Sequence, residues 1–306
     1  MLAYILQRIG QSAITVLIVT MIIFVAVRVV GDPTHLMLPP EATEADREVL
    51  RKELGLSDPI LVQYGRFLGQ LAQGKMGISY RFSRPAMEVV WERAGATFIL
   101  TTFALGFGAL IGVPLGILSA VRQDTWIDQV AKIFAVLGQA APPFLFGLLF
   151  VRLFSVKLGW LPTSGYGSPV NLILPTIALG WYSAAGLMRL TRSSMLDVLQ
   201  SEFVKMARIK GVPESQVILR HALRNASLAV ITFAALQFGI LMGGAVSVEA
   251  VFAWPGLGTL ILDSISNLDF TVVQAAVTFL ALVFTGINLL VDIIYSFVDP
   301  RIRYGS

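Results

Sequence analysis

Residues 202–225 read EFVKMARIKGVPESQVILRHALRN. The stretch holds five Lys/Arg, two Glu and one of the chain's two histidines, and a Gly-Val-Pro turn divides it. Apolar runs flank it, Leu172–Leu190 before and Leu228–Phe252 after. So dense a charge between two such runs marks a segment held outside a bilayer, and it fixes how the rest of the chain is threaded.

The chain has 306 residues, 56% hydrophobic and only 14% charged. A soluble domain carries about 25% charged residues. A core of this size cannot enclose so much apolar surface, so the solvent this composition calls for is a bilayer. There is no cysteine, which excludes disulfides, thiolate metal sites and cysteine nucleophiles. The first apolar stretch, Ile9–Val27, exceeds the core of a signal peptide, and no Ala-x-Ala site follows it. It reads as an uncleaved transmembrane helix.

Six runs approach the roughly 20 residues that a helix needs to span the hydrocarbon. They are Ile9–Val30, Thr97–Val121, Val130–Phe154, Leu172–Leu190, Leu228–Phe252 and Val272–Val298. The runs are continuous, whereas barrel strands alternate over about 10 residues. The expected fold is an all-α integral membrane protein with six transmembrane helices, read as one membrane domain. Lys and Arg orient it. Arg8, then Arg122 and Lys132, then Arg189, Arg192, Lys205, Arg208, Lys210, Arg220 and Arg224, and finally Arg301 and Arg303, all fall on one side. The opposite short loops hold Lys157 in one and no Lys or Arg in Ala253–Thr271. Both termini and the opening segment are therefore expected in the cytoplasm. The Gly31–Ala96 loop is expected outside, and its length exempts it from the charge rule.

That outer loop carries its own helix signals. Thr43 with Asp46 forms a capping box for a helix that ends at Gly55, with Val49, Leu50 and Leu54 on one side. Asp58-Pro59 starts a second helix as N-cap and first position. It carries Ile60, Tyr64, Phe67, Leu68 and Leu71, stops near Gly74, and is expected to lie at the outer surface.

In the charged segment, Asp197–Lys210 contains no Gly or Pro. Leu199, Phe203 and Met206 share one helical face, with Glu202 and Lys205 off it. Gly211 stops this helix as a left-handed residue would. Pro213 and Glu214 suit the first turn of a second helix, with Leu219 and Leu223 on one side and Arg220 and Arg224 as a basic row on another. The result is a helical hairpin under the membrane. Orientation and contact with anionic lipid heads explain its charge. Nucleic-acid binding is disfavoured, because the patch is short, lacks interleaved aromatics and is tied at both ends. The regular faces and the Gly-Val-Pro break favour a docking element for a cytoplasmic partner.

The segment resembles the EAA loop of importer permeases in the ATP-binding cassette class, specifically the dipeptide/oligopeptide branch. The matching strings are Ala207-Arg208-Ile209-Lys210-Gly211 and His221-Ala222-Leu223-Arg224-Asn225-Ala226. Lys205 and Met206 stand at the Glu and first Ala of the general pattern, and Arg224 where Pro is common in other branches. Those departures are typical of the peptide branch. The likeness extends to Gly31-Asp32-Pro33, Glu53-Leu54-Gly55-Leu56 with Gln63-Tyr64, the string Gly159–Gly165 and the string Val248–Gly258.

The resemblance implies a type I importer permease fold without covalent chemistry. A second homologous permease subunit would complete the pore. Two ATPase subunits, which bind ATP and Mg, would dock on Glu202, Lys205, Ala207, Arg208, Lys210 and Gly211. A soluble binding protein would deliver substrate to Gly31–Ala96, Gly159–Ser168 and Ala253–Thr271, with Trp160, Glu249 and Trp254 as contact candidates. The implied location is a bacterial or archaeal cytoplasmic membrane. Di- and oligopeptides are the first implied substrates, with nickel complexes and glutathione as alternatives.

Read from the residues alone, Trp160 and Trp254 serve either as interfacial belt residues or as partner contacts. Gln139, Gln237 and Asn288 lie within spans and serve interhelical hydrogen bonding or pore lining. Pro142-Pro143 either kinks the third span or opens its backbone to the path. Arg28, Arg152 and Glu249, near outer ends, either snorkel or hold a peptide's termini. Gly106, Gly108, Gly112 and Gly116 suit close helix packing. No His-Glu-x-x-His, P-loop or Gly-x-Ser-x-Gly occurs, and His35 and His221 fall on opposite sides. No catalytic or metal-ligating set is therefore assigned. A stand-alone secondary carrier or channel is the reading from a different class. It calls for charged relays in mid-membrane, and no convincing one is found.

Overall fold

Among the described residues the backbone is helical wherever it is regular, apart from one isolated bridge between Ile78 and Pro85. This follows from apolar composition, because a helix satisfies its own backbone groups where lipid offers no partner. The structure is a computed structural model and describes residues 2–30, 34, 38, 42–53 and 55–298. Gly31-Asp32-Pro33, His35, Leu54, Arg301 and Arg303 lie outside the described residues.

The elements are α1 (Leu2–Val30), α2 (Glu44–Glu53), α3 (Ile60–Ala72), α4 (Ala86–Val121), α5 (Trp126–Ala140) and α6 (Pro143–Lys157). They continue as α7 (Pro169–Leu199), α8 (Glu202–Ile209), α9 (Glu214–Phe252), α10 (Leu257–Ser266) and α11 (Phe270–Val298). Helices α1, α4, α7, α9 and α11 are long and apolar enough to cross a membrane, and α5 with α6 makes a sixth span if the pair counts as one. That pair bends by 102°, so the expected single run Val130–Phe154 is broken. The cause is local. Ala141 and Pro142 each precede a proline and are driven to extended backbone, at φ −125°, ψ 146° and φ −62°, ψ 145°. Pro143 then restarts the helix at a position where its missing N–H costs nothing.

Other boundaries also move. Helix α4 begins at Ala86 rather than Thr97, and α7 continues to Leu199 rather than stopping at Leu190. Helix α10 occupies part of what reads as the loop Ala253–Thr271.

The chain divides into two compact units. The first comprises Met1–Ala96 and Pro255–Leu289. Its capping box forms: the Thr43 amide donates to Asp46 Oδ2 at 2.9 Å, and the Asp46 amide donates to Thr43 Oγ1 at 3.3 Å. The Thr43 hydroxyl also donates to Asp46, which holds that carboxyl below its usual range. Asp58 does not cap α3. It pairs with Arg66 at 2.6 Å, and Pro59 takes the cap position. Helix α3 packs along α1 rather than only resting at a surface. Phe24 meets Tyr64 edge-on at 5.3 Å and Phe67 at 5.6 Å. The Tyr64 hydroxyl donates to the Leu17 carbonyl at 2.8 Å. Buried Asp269 ties the segment after α3 to α11, accepting from the Ser79 hydroxyl and from the Arg81 and Val272 amides.

The second unit comprises Thr97–Trp254 and Leu290–Ser306. Helix α7 is its most enclosed element, with an unbroken buried run over residues 183–188. Glycines let α4 approach it. A Cβ on Gly112 would stand 2.4 Å from the Ala184 carbonyl oxygen, one on Gly116 2.7 Å from that of Met188, and one on Gly108 2.8 Å from the Ser183 hydroxyl. Gly106 faces open space and takes no part. On another side, Trp181 stacks on Phe134 of α5 at 5.4 Å and on Phe146 of α6 at 4.7 Å. Its indole N–H donates to the Phe134 carbonyl at 3.3 Å. One side chain thus packs against both limbs of the α5–α6 bend.

Candidate functional site

The charged segment folds as expected into a hairpin, but its faces differ from those read by simple periodicity. Helix α8 starts after a break at Gln200-Ser201. Val204 and Ala207 are its buried residues, packed with Val217 and partly buried Val198, Leu199 and Val212. Phe203, Met206 and Ile209 are instead 49%, 51% and 79% exposed. Leu199 therefore parts from Phe203 and Met206. The expected apolar face splits because the chain turns at Ser201 and α8 does not continue the α7 register.

The second arm is not a separate helix. It is the inner end of α9, which runs from Glu214 through Phe252. Val217–Ala222 is π-wound, and the buried positions read Val217, Ala222, Ala226 and Val230. The step of five between the first two is the extra residue of the π turn. It rotates Leu219 to the surface, 60% exposed, and leaves Arg220 and Arg224 outward.

Gly211 closes the turn at φ +76°, donating its amide to the Arg208 carbonyl at 3.0 Å. Nothing lies within 4 Å of where its side chain would go. Arg208 grips Glu214 across the turn with two bonds, Nη2 to Oε1 at 2.7 Å and Nε to Oε2 at 3.1 Å. Those bonds hold the guanidinium above its ordinary range. Glu202 and Lys205 pair at 2.8 Å on the surface, and Lys210 is exposed. Of the six residues assigned to docking, five are thus presented to solvent. Ala207 is not; its smallness serves packing against the hairpin's own second arm.

Just above the hairpin lies a charge cluster that motif reading missed. Asp128, fully buried at the start of α5, accepts from Arg192 Nε at 2.8 Å and Nη2 at 3.0 Å. It also accepts from Lys132 Nζ at 2.8 Å, the Ser119 hydroxyl and the Asp124 amide. The cluster ties the end of α4, the start of α5 and the last turns of α7 together. The spacing Asp128/Lys132 was the available signal, but nothing in the sequence brings Arg192 to it.

The remaining candidates separate. Trp160 is 69% exposed and stays available to a partner. Glu249 and Trp254 are 0% and 2% exposed, so neither is presented to a binding protein. Glu249 accepts from the Thr97 hydroxyl at 2.6 Å. Trp254 folds inward after Ala253, which adopts φ +48°, and meets Tyr166 edge-on at 4.8 Å. Gln139, Pro142 and Pro143 gather at the α5–α6 break, with Gln139 beside Gly186 of α7. Gln237, 3% exposed, is closed inside the packing of α9 rather than open to a path. Asn288, half-buried on α11, belongs to the other unit. Among the described residues no cluster of three His, Cys, Asp or Glu could hold a metal.

Comparison with known proteins adds identity to this geometry. Residues 112–304 match the family described as binding-protein-dependent transport system inner membrane component, and residues 1–101 match the family of its N-terminal region. The glutathione transport system permease protein GsiC of Pectobacterium atrosepticum is 43% identical over 99% of this chain and 100% of its own. The protein of the same name from Escherichia coli K12 is 40% identical over the same shares. The inward-facing MetNI methionine ABC transporter gives a TM-score of 0.56 at 20% identity, covering 70% of this chain and 97% of its own. It shares the fold. The chain belongs to the family of inner-membrane permease components of binding-protein-dependent ATP-binding-cassette importers.

Proposed function

We propose that this permease subunit serves an importer of small peptides, with glutathione-like tripeptides included. The observation that carries the substrate class is end-to-end identity of 43% to a glutathione permease. The chain itself supplies no nucleotide-binding loop. ATP and Mg belong to two partner ATPase subunits, the second half of the path to a homologous permease, and delivery to an extracytoplasmic binding protein.

The hairpin would couple the ATPases to the path. Its outward face, Phe203, Met206 and Ile209 with Lys210 and Gly211 at the tip, presents apolar area ringed by charge to the cytoplasm. This is the composition of a docking patch rather than of a lipid-orienting loop. Glu202, Lys205 and Arg208 form its rim. Movement of α8 would pass to α7 through the Ser201 break and to α9 across the Arg208–Glu214 clasp. Asp128, joined to Arg192 about two and a half turns before Ser201, would carry the same movement to α4 and α5. Trp160 is the remaining candidate for contact with the binding protein.

Reconstitution with its partner permease and ATPases tests this reading. ATP-dependent uptake of a radiolabelled tripeptide is expected. Equal uptake by the single chain without ATP would establish a stand-alone carrier instead.

A further inference from the structure

The first unit contains a cavity of about 490 Å³ between α1, α3, the segment 76–80 and α11. That size lies within the usual range of small-molecule sites, about 300–1,000 Å³. Two arginines line it, Arg28 and Arg66, and among the described residues no carboxylate is part of the lining itself. Arg66 is already engaged by Asp58. Arg28 is not engaged by any acidic group among the described residues. Its guanidinium lies over the Phe24 ring at 3.3 Å, with Nε donating to Gln63 Oε1 at 2.9 Å and Nη1 to the Phe24 carbonyl at 3.1 Å.

Gln63 holds that arrangement firmly. Its own amide donates to the Leu56 and Asp58 carbonyls, both at 2.8 Å, so its oxygen must face Arg28. The Arg28 Nη2 group remains over. A second donor is idle in the same lining: Gln274 Nε2 is buried with no hydrogen-bond partner. Tyr80 adds a hydroxyl. The cavity thus offers idle donors and a cation that no acidic group among the described residues neutralises. Phe67, Met76, Ile78 and Leu56 supply an apolar wall.

We propose that this cavity receives the carboxylate of a substrate at the outer end of α1, with Arg28 and Gln274 as its donors. A planar guanidinium with one N–H on Nη1 and the Nη2 group left over offers the parallel pair that matches a carboxylate's two oxygens. A half-buried charge with no acidic partner among the described residues has reason to be there if a ligand completes it. The inference rests on the peptide-importer reading, because it takes the substrate to carry a free carboxylate. A phosphate-bearing lipid head offers similar chemistry, and the test separates the two.

Binding is measured on the full-length chain in nanodiscs of neutral lipid, without partners, using tri-alanine and glutathione and their C-terminal amides as probes. The free acids should bind about tenfold tighter than the amides, the worth of one charged hydrogen-bond pair. Arg28→Gln should erase that preference, Arg28→Lys should keep part of it, and Gln274→Leu should weaken the acids alone. Equal binding of acid and amide, or an unchanged preference in Arg28→Gln, overturns the site. So does displacement of the peptide acids by nanodiscs rich in anionic lipid, which would assign the cavity to headgroups. Failure of the chain to co-purify with ATPase subunits would instead count against the importer reading, since this assay contains none.

Discussion

Asp128 is a single carboxylate that collects donors from three helices. Removing it would leave Arg192 facing a buried void without its partner. Breaking such a pair costs about 3–5 kcal/mol. Asp128→Ala should therefore lower the melting temperature in detergent clearly, and Asp128→Asn less so. A melting curve unchanged by Asp128→Ala would show that the cluster holds nothing together. At the hairpin tip, Gly211 is required by backbone geometry and not by crowding inside the chain. Gly211→Ala should cost about 1 kcal/mol from its left-handed φ, whereas Gly211→Asn, which tolerates that region, should cost less. A bulky Gly211→Trp should leave the permease in the membrane and stop transport, because its Cβ position has no described neighbour within 4 Å and the added bulk would stand where a partner docks. Transport retained in Gly211→Trp would remove the glycine from the docking surface.

At the scale of elements, the α4–α7 contact provides an internal control. Gly112→Ala should destabilise by about 1–3 kcal/mol, since its Cβ meets backbone at 2.4 Å. Gly106→Ala, six residues away on the same helix, should be neutral or slightly favourable. Thermal unfolding of the two variants side by side checks this, and equal shifts would contradict the packing. The elements also show how far the sequence could be read. The long apolar runs announce themselves by length, and Thr43-Asp46 announces its capping box through local chemistry. Pro142-Pro143 marks a break, yet the packing of Trp181 against both limbs of the bend joins residues too distant in sequence to be read from it. The hairpin's faces depart from simple periodicity because a period of 3.6 cannot anticipate a π turn at Val217–Ala222 or a restart at Ser201. Glu249 and Trp254 look like surface residues beside a membrane, and only tertiary packing reveals that both are buried.

At the scale of the whole molecule, the second unit carries a charged helical hairpin whose two arms are α8 and the first turns of α9. Met206 and Ile209, which the hairpin shows to solvent, are 51% and 79% exposed, so replacing them should cost the fold little. This makes the central claim open to a direct test. Met206→Glu and Ile209→Glu should be introduced together into the assembled importer. The account predicts an unchanged melting temperature for the permease, loss of at least about 90% of ATPase co-purification, as two buried apolar contacts of roughly 1–2 kcal/mol each would give, and loss of ATP-dependent uptake. Full co-purification and full uptake by the double variant would contradict it.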